Sequence, residues 1–159
     1  MCKELLCQIS KAMGTKCPNP AVIETIVYRD PVPNITPCGC IDMVDGYDIC
    51  KRVIEQYGNQ ADIFMPDVLV KIYKYDDVVN DQNLEFIDML EYKVESHDCD
   101  DFAAEAFGAG YGLAWSNVHA LNWFIDENKK FWFIEPQTRK IADKLDTWQG
   151  KEIRFLLGR

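Results

Sequence analysis

Ser96-His97-Asp98-Cys99-Asp100-Asp101-Phe102-Ala103-Ala104-Glu105-Ala106-Phe107-Gly108 decides how this chain is read, because it places a thiol at the start of a predicted helix. Asp98 is a good N-cap residue, and the alanine-rich run behind Cys99 favours helix. Further along, Val118-His119-Ala120-Leu121-Asn122-Trp123-Phe124-Ile125 reads as a strand with a histidine at its start. Glu127-Asn128-Lys129-Lys130 then reads as a turn, and Phe131-Trp132-Phe133-Ile134-Glu135-Pro136-Gln137-Thr138 as a second strand. A hairpin of that form returns position 135 to the end that carries position 119. A helix bearing a cysteine, packed on a hairpin bearing a histidine and a glutamate, is how a thiol site is assembled.

Each residue type has a physical role in that arrangement. A helix N-terminus favours the thiolate of Cys99 over the thiol through its free N–H groups and macrodipole. His119 is the candidate base, since imidazole takes and returns a proton near neutral pH. Glu135 is the candidate carboxylate that orients the ring. His97 lies in the lead-in to the helix and competes poorly. Asn122 is an alternative orienting group, but it points to the opposite face of a strand from His119.

Acids surround the thiol. Asp98, Asp100 and Asp101 oppose a thiolate, against a helix-terminus effect of only about 0.3–1 kcal/mol. Asp98 is used as the N-cap, which leaves Asp100 and Asp101 in the first turn, with Glu135 and Gln137 converging from the hairpin. Carboxylates with an amide carbonyl make an all-oxygen shell suited to calcium rather than zinc. Calcium bound by Asp100, Asp101, Glu135 and Gln137 is therefore the expected cofactor, and ordinary first-turn acids are the bland alternative.

The Asp98–Ala103 block, the His119–Asn122 segment and Glu135-Pro136-Gln137 resemble the C-terminal domain of the fungal chimerolectins typified by the Marasmius oreades agglutinin, a calcium-dependent papain-like cysteine protease domain. The resemblance spans roughly residues 60–140. It implies Cys99 as nucleophile, His119 as general base and Glu135 as third member, with Asp100, Asp101 and Gln137 at metal-binding positions. The β-trefoil sugar-binding domain of those proteins has no counterpart here, so the resemblance carries no expectation of carbohydrate recognition.

Composition limits the partners. The chain has 159 residues, is 48% hydrophobic and carries a formal charge of −9. It is long enough to bury a sizeable core, and its acidity disfavours nucleic acid and anionic membranes. The first seven residues hold charges within the apolar stretch and read as no signal peptide, and no window reaches the length of an apolar span. A cytoplasmic protein with reduced thiols is expected. Of seven cysteines, all but Cys99 lie within residues 2–50. Zinc bound by Cys38, Cys40, Cys50 and the earlier cysteines is the weaker reading beside scattered core thiols.

The chain divides into a helical, cysteine-rich segment at 1–58 and a papain-like domain at 59–159, together one compact unit. Helix is expected over 2–13 and 47–57, helix or strand over 21–28 and 84–90, a proline-rich loop over 30–40, and strand over 67–75. The fold class is α+β, papain-like or transglutaminase-like, with the cysteine helix on an antiparallel sheet. Trp115, Trp123, Trp132 and Trp148 read as core and cleft walls. Oxyanion donors could come from Gln82, Asn83 or Lys93. The expected function is a cysteine hydrolase or acyl transferase acting on a peptide or protein amide through a Cys99 thioester. The alternative is a noncatalytic binding or structural module, such as a phage or prophage accessory protein, that keeps the same fold.

Overall fold

The computed structural model describes residues 39–57, 61–94 and 96–159. The expected helix at 2–13, the segment at 21–28, nearly all of the proline-rich loop and Cys2, Cys7, Cys17 and Cys38 lie outside the described residues.

The described chain starts with strand β1 (Asp42–Asp45) and helix α1 (Gly46–Gln56). Asp45 caps α1, its side chain accepting from the Tyr47 N–H at 3.1 Å. Ile49, Cys50 and Ile54 form the buried face of α1, within one residue of the span read from the sequence. β2 (Asp62–Phe64) and β3 (Leu69–Tyr73) follow. The strand expected over 67–75 is shorter, because Tyr75 opens a one-turn helix, α2 (Tyr75–Val79), whose first N–H is accepted by Glu127 at 2.8 Å. The ambiguous 84–90 segment is helical: α3 (Gln82–Asp88), capped by Asp81, buries Leu84 and Ile87. A spacing of three puts both on one helical face, which a strand would split between two.

Helix α4 (Cys99–Ala109) then leads through Gly110, at φ 121°, into β4 (Gly112–Ser116). The hairpin of β5 (Ala120–Asp126) and β6 (Phe131–Glu135) follows, then β7 (Lys140–Ala142), a 3₁₀ turn (Thr147–Gln149) and β8 (Ile153–Leu157). The strands form an eight-stranded sheet in the order β1-β3-β5-β4-β8-β2, with β6 pairing β5 and β7. The α+β class is what the described residues show. The sheet is mixed, however, since β2 pairs β8 and β3 pairs β5 in parallel.

β5 explains why the hairpin was legible and its environment was not. Every residue of the strand is buried. Leu121, Trp123 and Ile125 join a core with Ile49, Ile54, Val70 and Leu156, while Phe124 joins a second core with Phe102, Ala106, Leu84 and Ile87. A strand covered on both faces is apolar throughout and shows no alternation. β1 and α1, assigned from sequence to the N-terminal segment, contribute to the sheet and its first core.

Candidate functional site

The sheet and α4 bring three of the sequence-selected residues to one place. Asn122 makes the join. Its amide donates to the Ala103 carbonyl in α4 at 2.9 Å and to the Gly112 carbonyl at 3.1 Å. It therefore holds helix to sheet and orients no histidine. With α4 fixed on β5, the half-buried Cys99 thiol takes a hydrogen bond from the backbone of Ala120, the neighbour of His119.

His119 is set by the turn between β4 and β5. Ser116 Oγ accepts from the N–H groups of Val118 and His119, at 3.1 and 2.9 Å, and the Ser116 N–H donates to the His119 carbonyl at 2.8 Å. The hairpin register pairs Asn122 with Ile134, which carries Glu135 alongside the start of β5. His119 Nε2 lies 2.8 Å from Glu135 Oε2, both side chains being almost fully buried. Nδ1 is the second ring nitrogen, as a thiol–imidazole–carboxylate arrangement requires.

This carboxylate is held by a residue that no sequence motif marks. Gln149, 5% exposed, donates from Nε2 to Glu135 Oε2 at 2.7 Å. Beside it, Trp148 is 54% exposed and lies against the His119 ring, with centroids 4.9 Å apart. The Gln149 signal was weak: a polar residue next to a tryptophan, fourteen positions from its partner. Trp115, Trp123 and Trp132 stay in or beside the core, with Trp123 stacked on Phe131 and Trp132 bonded to Asp126. His97 packs on Phe102. Asn83 bonds Asp81, and Lys93 pairs with Glu91, so neither is directed to Cys99 by these contacts. Gln82 opens α3.

The acids at the helix start divide into two roles. Asp98 and Asp101 form a reciprocal cap, with Asp101 Oδ2 accepting from the Asp98 N–H at 3.1 Å. Asp100 is pushed up to about 6, first by a hydrogen bond shared with the Asp98 side chain and then by burial. Donor atoms of Asp98, Cys99 and Asp100 lie within 4.8 Å of one another. Two carboxylates that close fit a hard cation, and the thiol between them does not. Elsewhere Glu135 Oε1 and Gln137 Nε2 are buried with no partner. Burial raises the Cys99 pKa, the Asp98 and Asp100 charges add to that, and the Ala120 hydrogen bond opposes it. Burial and the two acids thus oppose formation of the thiolate, and a cation at the acids would offset their part.

The remaining described cysteines behave differently. Cys50 is fully buried in the first core and its thiol is pushed up to about 12, as expected of a core residue rather than a metal ligand. Cys40 is exposed and donates to the Asp42 carbonyl. Among the described residues, no helix is long and apolar enough to cross a membrane.

No family model matches the chain, and no curated protein matches it. Solved structures share its fold, among them the following two. PSL1a in complex with E64 matches at 21% identity and a TM-score of 0.57, over 72% of this chain and 51% of the other. Polyporus squamosus lectin bound to the human-type influenza-binding epitope Neu5Acα2-6Galβ1-4GlcNAc matches at 20% identity and a TM-score of 0.54, over 72% of this chain and 49% of the other. This chain thus corresponds to about half the length of each, and at these identities the likeness shows fold alone. It corrects the assignment to a papain-like cysteine protease domain, and with it the reading as a hydrolase or acyl transferase of peptide amides: the structures sharing the fold are those of a lectin. Burial and the charges of Asp98 and Asp100 push the Cys99 thiol up, which works against the thiolate such an enzyme uses.

Proposed function

We propose that the described domain is a noncatalytic ligand-binding module whose recognition site is the cleft at Cys99, His119 and Trp148, and that carbohydrate is its ligand class. The observation that carries this is the exposed face of Trp148 beside the buried His119–Glu135–Gln149 chain. An aromatic face next to fixed polar groups suits a ligand with an apolar ring face and hydroxyl edges. The sialylated trisaccharide held by the Polyporus squamosus lectin supports that class.

The test is titration of the isotope-labelled chain with Neu5Acα2-6Galβ1-4GlcNAc, followed by NMR. Shifts are expected at Val118, His119 and Trp148, and Trp148→Ala should weaken binding by tenfold or more, about 1.4 kcal/mol. Absence of shifts at millimolar sugar would overturn the carbohydrate reading.

A second reading is favoured by the E64 complex of PSL1a. In it the cleft takes a thiol-directed ligand: Cys99 is the nucleophile, His119 the base and Glu135 its orienting group. E64 is an epoxide, so the Cys99 sulfur would form the C–S bond, the ring C–O bond would break, and the imidazolium would protonate the released oxygen. A mass increase of one inhibitor on Cys99, lost in His119→Ala, supports this reading. Calcium belongs to both readings as a proposal, with Asp98 and Asp100, Asp101, Glu135 and Gln137 as the residues to vary.

A further inference from the structure

The Glu135 carboxylate is 1% exposed, and its Oε2 receives two donors: His119 Nε2 at 2.8 Å and Gln149 Nε2 at 2.7 Å. The orientation of the Gln149 amide follows from its other bond. Gln149 Oε1 accepts from the Asp146 N–H at 2.9 Å, and the Gln149 N–H returns to the Asp146 carbonyl at 3.0 Å. Flipping the amide would set oxygen against the carboxylate and NH₂ against an N–H, so only one orientation satisfies both ends.

The turn that carries Gln149 is itself docked on the turn that carries His119. Gly150 sits at φ +109°, and a side chain there would meet Asn117 Oδ1 at 2.5 Å and Ser116 Oγ at 2.8 Å. Asn117 Oδ1 in turn accepts from the Lys151 N–H at 3.2 Å. At the outer end, Asp146 pairs with Lys140. Both ends of the 147–149 turn are thus tied down, and its one buried polar side chain ends on Glu135.

We infer that Gln149 is a positioning residue: it fixes the Glu135 carboxylate and, through it, holds the His119 ring with Nε2 turned inward and Nδ1 toward the Cys99 cleft. A carboxylate with one donor can rotate about its last bond, whereas one gripped by two donors on the same oxygen cannot do so without breaking both. This inference rests on that cleft being the functional site. It is tested on the free protein, so its failure and the failure of the ligand reading are separate results.

The chain has two histidines, which makes the test direct. In the full-length ¹⁵N-labelled protein, His119 should show one tautomer and an Nε2 proton that exchanges slowly with water, while His97 serves as internal reference. Gln149→Met keeps the volume and removes the donor. It should speed exchange of that proton at least tenfold and mix the tautomers, with the His97 signals and the core amide spectrum unchanged. If Gln149→Met fails to fold, Asp146→Ala loosens the same turn from its exposed end and should speed exchange in the same direction. An unchanged tautomer and exchange rate in whichever variant folds would overturn the assignment. Sugar binding that fails while these signals respond as expected would remove the ligand reading and leave Gln149 in its role.

Discussion

Two acids are buried in the same β5–β6 hairpin, and they are treated in opposite ways. Asp126, at its turn end, is 3% exposed and accepts from the N–H groups of Asn128 and Lys130 through Oδ1 and from Trp132 Nε1 through Oδ2, all within 2.9 Å. Both oxygens are satisfied, by groups no more than six residues away. Glu135, at the other end, is more deeply buried, yet Oε2 holds two distant side chains and Oε1 holds none. A structural carboxylate completes its own shell locally. A carboxylate that depends on residues 16 and 14 positions away and leaves an oxygen unmatched has been placed at a cost, which points to use.

The largest effect should come from breaking the satisfied acid. Asp126→Ala removes three hydrogen bonds, two from the exposed turn and one from half-buried Trp132, and should cost about 2–3 kcal/mol in denaturant unfolding. Glu135→Gln should cost only about 1 kcal/mol, because the amide oxygen still accepts one of the two donors. Equal losses at the two sites would erase the distinction. Binding should reverse the order: ligand response in the cleft should vanish in Glu135→Gln and survive in any folded Asp126→Asn protein, as followed by the Trp148 side-chain signal.

A third measurement concerns the acids at the head of α4. Asp100 titrates near 6 in the folded protein, above its ordinary value of 3.8, because it shares a hydrogen bond with Asp98. The native state therefore binds the extra proton, and stability from this group is fully present below about pH 4 and lost as pH rises through 6. Asp100→Asn should flatten that part of the stability–pH curve between pH 4 and 7. A slope unchanged in the variant would place the proton elsewhere. The smallest expected effect is on thiol chemistry. Millimolar calcium should raise the iodoacetamide labelling rate of Cys99 severalfold, by offsetting Asp98 and Asp100, with Cys50 unreactive throughout. No calcium response after chelation would remove the cation from this site.

The legible parts of the molecule were those whose signal is local. Asp98 ahead of an alanine-rich run announced α4, and two aromatic strands around a charged turn announced the hairpin that pairs His119 with Glu135. α1 was readable from the spacing of Ile49 and Ile54. β4 and β8 were not, because Gly112–Ser116 is short and Ile153–Leu157 is recognised as a strand only by the partners it finds. Gln149 was missed for the same reason, its importance lying in a bond across fourteen residues. The protease assignment failed differently. Short motifs around Cys99 matched a known pattern, but they cover few residues, and the solved structures that share the fold are those of a lectin.

The Asn122 amide, bridging the Ala103 and Gly112 carbonyls, has a mechanical consequence. It pins the helix bearing the sulfur to the strand beside the imidazole, and that strand to β4, so the helix cannot slide along β5 without abandoning the buried hydrogen bond to Ala103. Hydrogen exchange should therefore find the amides of α4 and of β5 opening together as one unit, and not one before the other.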